Sequence, residues 1–294
     1  MSHYKIIGNM KIVTKNNKKS SDGFRYRGLK SSRLETLTDT IFGFAITLLI
    51  ISSEVPKNYV ELQASMYGFL GFIFCTLLIM TIWNSHKTYF IRYGLQDTRT
   101  YVLNTILVFV LLFYIYPLKY LFSYIGTAIY VKIKLAFGDT SQGLQLAIQR
   151  LKEANLDVEQ WSDILLRFSL ALAVIYSLFI LLHLNAFSKK KALKLNHKER
   201  YLVKTSIQEY GIFLGITLFS IVIVVIFGNA CFMYWSLSYL LIPILIPIHQ
   251  KIRKKRYKRF KKQRKLSEKG CNKSALNEEE ENTTTNETDV KTIK

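Results

Sequence analysis

An all-α, polytopic membrane protein with six transmembrane helices is the fold class this sequence predicts, and three observations carry the prediction. Half of the 294 residues are hydrophobic. The apolar residues gather into blocks of membrane-helix length rather than spreading evenly. The connections between blocks are strongly basic on every second crossing, as the positive-inside rule requires of a chain that threads a bilayer.

The spans fall at roughly 37–55, 64–83, 101–125, 163–187, 209–228 and 230–249. Charge sets their sense. Of 41 Lys and Arg, nine lie in residues 1–33, three in 84–100, seven in 187–208 and fifteen in 250–294. Between the first two spans there is only Lys57. Both termini are therefore expected in the cytoplasm, in a multi-pass protein of the cell membrane. The net charge of +21 is accounted for by topology, so no nucleic-acid partner is implied. Residues 1–32 read as a basic cytoplasmic segment with no evident signal peptide. Cys75, Cys231 and Cys271 fit neither a disulfide framework nor a metal site.

Taken in order, the first span is the unusual one. Its uncharged run, Thr40 to Ser53, has 14 residues, against the about 20 that a lipid-facing helix needs. Asp39 stands at its edge, and an acid at membrane depth marks a functional site by default. Such a helix is shielded by others or lines a cavity. The third span is interrupted by Pro117 and Lys119, whose long stem lets it snorkel to the outer interface. An extracytoplasmic insertion follows at 127–161. Within it, Gly143–Ala154 has apolar residues at 144, 147, 148 and 151, the spacing of an amphipathic helix. It packs on the spans, caps the outer mouth or lies on the membrane. A basic cytoplasmic connection covers 188–204.

The six-helix domain covers 33–250. The stretch 251–265 has eleven basic residues in fifteen and reads as a polybasic juxtamembrane helix at anionic lipid headgroups. Residues 266–294 form a low-complexity acidic tail of disordered composition. Its glycosylation-type triplets at Asn272, Asn282 and Asn286 fall on the cytoplasmic side.

Helical geometry sorts the first span into faces. At about 100° per residue, Thr40, Phe44, Thr47 and Ile51 share one stripe. Asp39, Gly43 and Ile46 lie toward the other side, where a small residue permits close helix contact. Four copies around an axis would turn the stripe into stacked rings, hydrophobic at Phe44 and Ile51 with hydroxyls between. Ordinary bundle packing accounts for the same stripe. Span two ends at Trp83 and His86, and span three begins near Asn104, so Arg33, Asp39, Trp83, His86 and Asn104 reach one membrane level. Arg, His, Asn and indole N–H groups all supply donors to a carboxylate. A structural clamp and a proton-sensing site both fit this set. A catalytic site lacks a second histidine at helical spacing.

The pattern Arg33-x-x-x-Leu37-Thr38-Asp39, followed by Phe-x-x-Ala-Ile-Thr-Leu-Leu, resembles the Arg-x-x-x-Phe-Ser-Asp signature of the transmembrane protein 175 family. These are endolysosomal potassium channels and their prokaryotic relatives. Trp83-x-x-His86, Asn104 and Pro117 extend the likeness over residues 33–125. The resemblance implies one six-span repeat assembling as a homotetramer, with first helices lining a potassium-favouring pore. The family's constrictions fall five, eight and twelve residues after the signature Asp, which are Phe44, Thr47 and Ile51 here. Thr47 would be the selectivity ring between hydrophobic gates. Arg33, Thr38, Asp39, Trp83, His86 and Asn104 would hold the helices together. No cofactor is expected beyond the permeant potassium ion, and no enzymatic activity. The departures are Leu37 for the signature aromatic and the bulkier Phe44 at the first constriction. A proton-coupled transporter, a membrane enzyme for lipid-linked substrates and a non-conducting scaffold stay open as other readings.

Overall fold

The computed structural model describes residues 4–7, 10–13, 20, 23–51, 55–154, 157–227, 238–239, 241–242, 244–257 and 259. By its internal contacts the chain divides into residues 1–242 and 243–294. The first unit opens with an antiparallel hairpin of β1 (Tyr4–Ile7) and β2 (Met10–Val13), pairing Tyr4 with Val13 and Ile7 with Met10. This hairpin precedes the helical domain, in which every assigned element is α-helix, as expected. The helices that follow are α1 (Arg33–Ile51), α2 (Tyr59–Met66), α3 (Phe69–Tyr93), α4 (Thr98–Ala136), α5 (Gln142–Glu153), α6 (Val158–Ser188) and α7 (His197–Phe227).

Four of them, α3, α4, α6 and α7, are long and apolar enough to cross a membrane. The 19 residues of α1 give a helix of about 28 Å, close to the ~30 Å of a hydrocarbon core. Half of the predicted sixth span and the whole 266–294 tail lie outside the described residues. In the second unit, residues 244–257 are helical.

The helix boundaries differ from the hydropathy blocks for local reasons. The block expected at 64–83 is not one helix. Asn58 caps α2 by accepting the Glu61 N–H at 2.8 Å, and α2 stops at Met66. After a turn at Tyr67 and Gly68, α3 runs past the end of its apolar stretch to Tyr93. It ends there because Gly94 adopts a left-handed φ of 58° and returns its N–H to the Phe90 carbonyl. In the same way α4 passes through Pro117 and continues to Ala136 as one helix of 39 residues. The first part of the expected 127–161 insertion is thus an extension of α4. It carries a small second core with α2 and α5, built from Ala64, Tyr67, Val131, Leu144 and Ala147. The amphipathic helix expected at 143–154 is α5, packed on these neighbours by its Leu144 and Ala147 face. The basic connection expected at 188–204 shrinks to Lys189–Asn196, because α7 already begins at His197.

The main core joins α1, α3, α4, α6 and α7 through Phe42, Leu49, Ile79, Leu111, Phe179 and Val203. Phe24, from the basic segment before α1, is completely buried in that same core. Where α3 meets α4, a Cβ on Gly71 would lie 2.1 Å from the Phe122 carbonyl oxygen, and one on Gly126 2.2 Å from the Gly71 nitrogen. Small residues let two membrane helices touch along their backbones, where apolar burial alone gives no drive to associate. Gly71→Leu should therefore destabilise the protein by about 1–3 kcal/mol. Gly215→Ala, where nothing lies within 4 Å, should leave the melting temperature in detergent unchanged or higher. Equal melting temperatures for both variants would refute the seam.

Candidate functional site: the first helix and its polar support

The start of α1 is written locally. Ser32 accepts the Glu35 N–H at 3.1 Å, and the Glu35 carboxylate accepts the Ser32 N–H at 3.4 Å. This is the reciprocal capping arrangement of a Ser-x-x-Glu sequence. Glu35, Thr38, Phe42, Ala45 and Leu49 then form the buried face of α1, at spacings of three and four. Its packing partners are α3 and α4.

The opposite face is exposed in the single subunit. It carries Leu37, Thr40, Gly43, Phe44, Thr47 and Ile50, with Phe44 at 54% exposure. Thr40, Phe44 and Thr47 therefore share one open stripe. The side chain of Ile51 lies outside the described residues. Gly43 was expected on the contact face and is instead on the open one, with nothing within 4 Å of its Cβ position. Ala45 is the small residue that meets the other helices. The Thr40 hydroxyl donates to the Thr36 carbonyl at 2.9 Å, and that of Thr47 to the Phe44 carbonyl at 2.7 Å. Each hydroxyl proton is thereby spent inside the helix. The oxygen lone pairs remain as acceptors for a cation.

Behind this stripe sits a polar relay. The Thr38 hydroxyl donates to the Leu34 carbonyl at 2.9 Å, so it must accept from its next neighbour. That neighbour is the Asn104 amide nitrogen at 2.7 Å. The Asn104 carbonyl oxygen then faces His86 Nε2, also at 2.7 Å, and the relay assigns the proton to Nε2. Phe42 and Phe90 hold the imidazole between them, with ring centroids at 5.7 and 4.6 Å. One step along α1, the Trp83 indole N–H donates to Asp39 at 2.9 Å. The Lys87 ammonium stands 4.7 Å above the same indole.

The structure thus brings together Thr38, Asp39, Trp83, His86 and Asn104 from α1, α3 and α4. It does not bring in Arg33, which is exposed at the first turn of α1 and joins none of these bonds. Arg33 lies six positions before Asp39, which at about 100° per residue leaves the two side chains about 120° apart around the helix. Glu35, 5% exposed, was absent from the sequence-derived set. Its signal was available in the Ser-x-x-Glu spacing.

Three comparisons bear on the site. Residues 33–114, from the start of α1 into α4, match the family model described as endosomal/lysosomal potassium channel TMEM175. A protein of Marivirga tractuosa named potassium channel is 34% identical over 227 residues, spanning 76% of this chain and 88% of its own length. The fold is similar to a crystal structure of the potassium channel MtTMEM175, a threonine-to-alanine variant in complex with a nanobody–MBP fusion protein. There the TM-score is 0.66 at 32% identity, over 81% of this chain and 100% of the other. These matches, together with four helices long and apolar enough to cross a membrane, put the chain in the class of helical membrane channels, not enzymes. The chain belongs to the TMEM175 family of potassium channels.

Removing Asn104 should leave the buried His86 Nε2–H without an acceptor and take one of the two bonds of the Thr38 hydroxyl. Asn104→Ala is expected to cost about 2–4 kcal/mol, about 1–3 kcal/mol for the stranded imidazole and about 1 kcal/mol for the lost Thr38 bond. Arg33→Ala, outside the relay, should stay within about 0.5 kcal/mol of the parent. Chemical unfolding monitored by circular dichroism compares the two, and a larger loss from Arg33→Ala would invert the assignment.

Proposed function

We propose that this chain forms a potassium-favouring cation channel, with passive conduction through a homotetrameric pore lined by α1. One observation carries the reading. Thr40, Phe44 and Thr47 occupy the open face of α1, while its other face is buried on α3 and α4 and held there by hydrogen bonds. A helix anchored on one side and offering hydroxyl and apolar rings on the other is what a shared axis needs. In this arrangement Phe44 and Ile51 are hydrophobic constrictions that gate by dewetting. Thr47 forms the ring whose oxygens replace part of the ion's hydration shell. The relatives named potassium channel support the choice of ion.

The same reading places six spans in the cell membrane, with both termini in the cytoplasm and the polybasic 251–265 stretch at anionic headgroups. Thr38, Asp39, Trp83, His86 and Asn104 act as supports for α1 and not as ion ligands. Their bonds point inward to α3 and α4. No cofactor enters the mechanism, and the permeant potassium ion is the substrate.

Purified protein in liposomes tests this directly, with potassium and sodium fluxes run in parallel. The parent should pass potassium faster than sodium. Phe44→Ala should raise potassium flux. Thr47→Val, which removes the acceptor oxygen but keeps the shape, should chiefly change the potassium-to-sodium ratio. If both variants match the parent, α1 does not line the path. If tetrameric parent protein passes neither ion, the scaffold reading replaces the channel.

A further inference from the structure

We infer that residues 23–28 form a strap that fixes the base of the pore-lining helix, and that Glu199 on α7 is its positioning residue. The inference rests on α1 lining the pore. It begins from how deeply the strap is set. The Phe24 ring has no exposed surface. It meets Tyr93 edge-on at 5.5 Å, with the Arg27 and Arg92 guanidinium groups 5.4 and 5.3 Å from its centroid. The N–H groups of Arg27 and Gly28 both donate to the Ile91 carbonyl, at 3.1 and 3.0 Å. A Cβ on Gly28 would fall 2.1 Å from the Phe90 carbonyl oxygen, and one on Gly94 2.9 Å from that of Arg27. The strap and the end of α3 meet backbone to backbone.

Glu199 ties the strap to α7. Its side chain is 1% exposed. It accepts from the Arg25 backbone N–H at 3.0 Å, Arg25 Nε at 3.0 Å, Arg25 Nη2 at 3.1 Å and Arg27 Nη2 at 2.8 Å. The Asn196 N–H adds a fifth bond at 2.8 Å. Two further guanidinium bonds reach the turn between α6 and α7, Arg25 Nη2 to the Lys194 carbonyl and Arg27 Nε to that of Leu193. One buried carboxylate therefore organises two arginines that join the chain before α1 to the start of α7 and the turn preceding it.

Only residues 29–32 separate the strap from α1. Four residues reach at most about 14 Å, so the base of α1 cannot travel far from Glu199. The polar relay grips α1 again at Thr38 and Asp39. Two fixed points on one helix set its tilt. The tilt sets how closely Phe44 and Thr47 of each subunit approach a common axis. The strap thus couples the α6–α7 turn to the pore without touching the permeation path.

The test uses the full-length tetramer in liposomes, with potassium and sodium fluxes measured on the same preparation. A purely structural role lowers both fluxes together by reducing the number of folded channels. A positioning role changes their ratio. Glu199→Gln is expected to change the potassium-to-sodium ratio about fivefold, the lower end of couplings between distant sites, with tetramer elution volume retained. Arg25→Ala, at a half-exposed partner, should move the ratio in the same direction by less. Glu199→Asp should restore part of the parent ratio. An unchanged ratio in folded Glu199→Gln overturns the strap and leaves the pore reading intact. If Glu199→Gln does not assemble, an unchanged ratio in Arg25→Ala overturns it equally. Parent protein with no potassium-over-sodium flux sinks the pore reading and the strap with it.

Discussion

The bond from the Thr38 hydroxyl to the Leu34 carbonyl sets the direction of everything attached to it. A backbone carbonyl only accepts, so the hydroxyl proton is committed to it. The hydroxyl oxygen must then accept, which orients the Asn104 amide, which in turn fixes the protonated nitrogen of His86. One main-chain oxygen inside α1 thereby dictates polar geometry on α4 and α3. In an apolar surround each of these bonds has no competing water, and an unmade bond is costly. The relay therefore fixes register as well as proximity. A slip of α1 by one residue would set Leu37 or Asp39 against Asn104 and strand His86.

Apolar contacts alone would not supply this register. Lipid tails solvate leucine as well as another helix does, so membrane helices need close backbone approach or hydrogen bonds to choose one pairing. The structure divides that work by depth. Gly71 and Gly126 bring α3 and α4 together at one end. Thr38, Asn104 and His86 lock α1 to both farther along. At the strongly basic end charge takes over. Asp97 stands just before α4 and is held by Lys189, Thr100 and Asn185. Burial pushes its carboxyl up, yet these donors outweigh burial and keep it below the ordinary aspartate range. Its stabilising contribution is present above the unfolded pKa and is lost as pH falls through the lower folded value.

Much of this was legible in the sequence, and the illegible parts have physical causes. The stripe of Thr40, Phe44 and Thr47 follows from helical periodicity, and α5 from its amphipathic spacing. The meeting of Asp39 with Trp83, and of His86 with Asn104, follows from antiparallel spans ending at one level. Gly43 and Ala45 were harder to sort, because the contact face of a helix is fixed by its neighbours and a glycine permits contact without requiring it. Helix ends were missed wherever a helix outran its apolar block. Hydropathy detects the stretch suited to lipid, whereas Gly94 and Gly138, with φ of 58° and 74°, decide where α3 and α4 stop. Phe24 was invisible for a related reason. Phe24 and Tyr26 among basic residues give no helical period, and the burial of Phe24 depends on Tyr93 and Arg92, both distant in sequence.

The separation of roles on α1 explains how its signature tolerates change. Leu37 replaces the aromatic of the family pattern, and its side chain is 59% exposed, on the same side as Phe44. The buried side keeps Thr38, whose hydroxyl is the only feature of that position the relay uses, and the adjacent Asp39 keeps its bond to Trp83. Substitution at 37 therefore leaves the anchoring intact and alters only the surface offered to other subunits or lipid. The bulk of Phe44 likewise falls on the open face, where it meets no atom of the relay. A helix built this way can vary its open face residue by residue while its support stays constant, because adjacent positions about 100° apart answer to different neighbours. The hydrogen-bonded chemistry of the support and the unpartnered surface of the stripe are two faces of the same 19 residues.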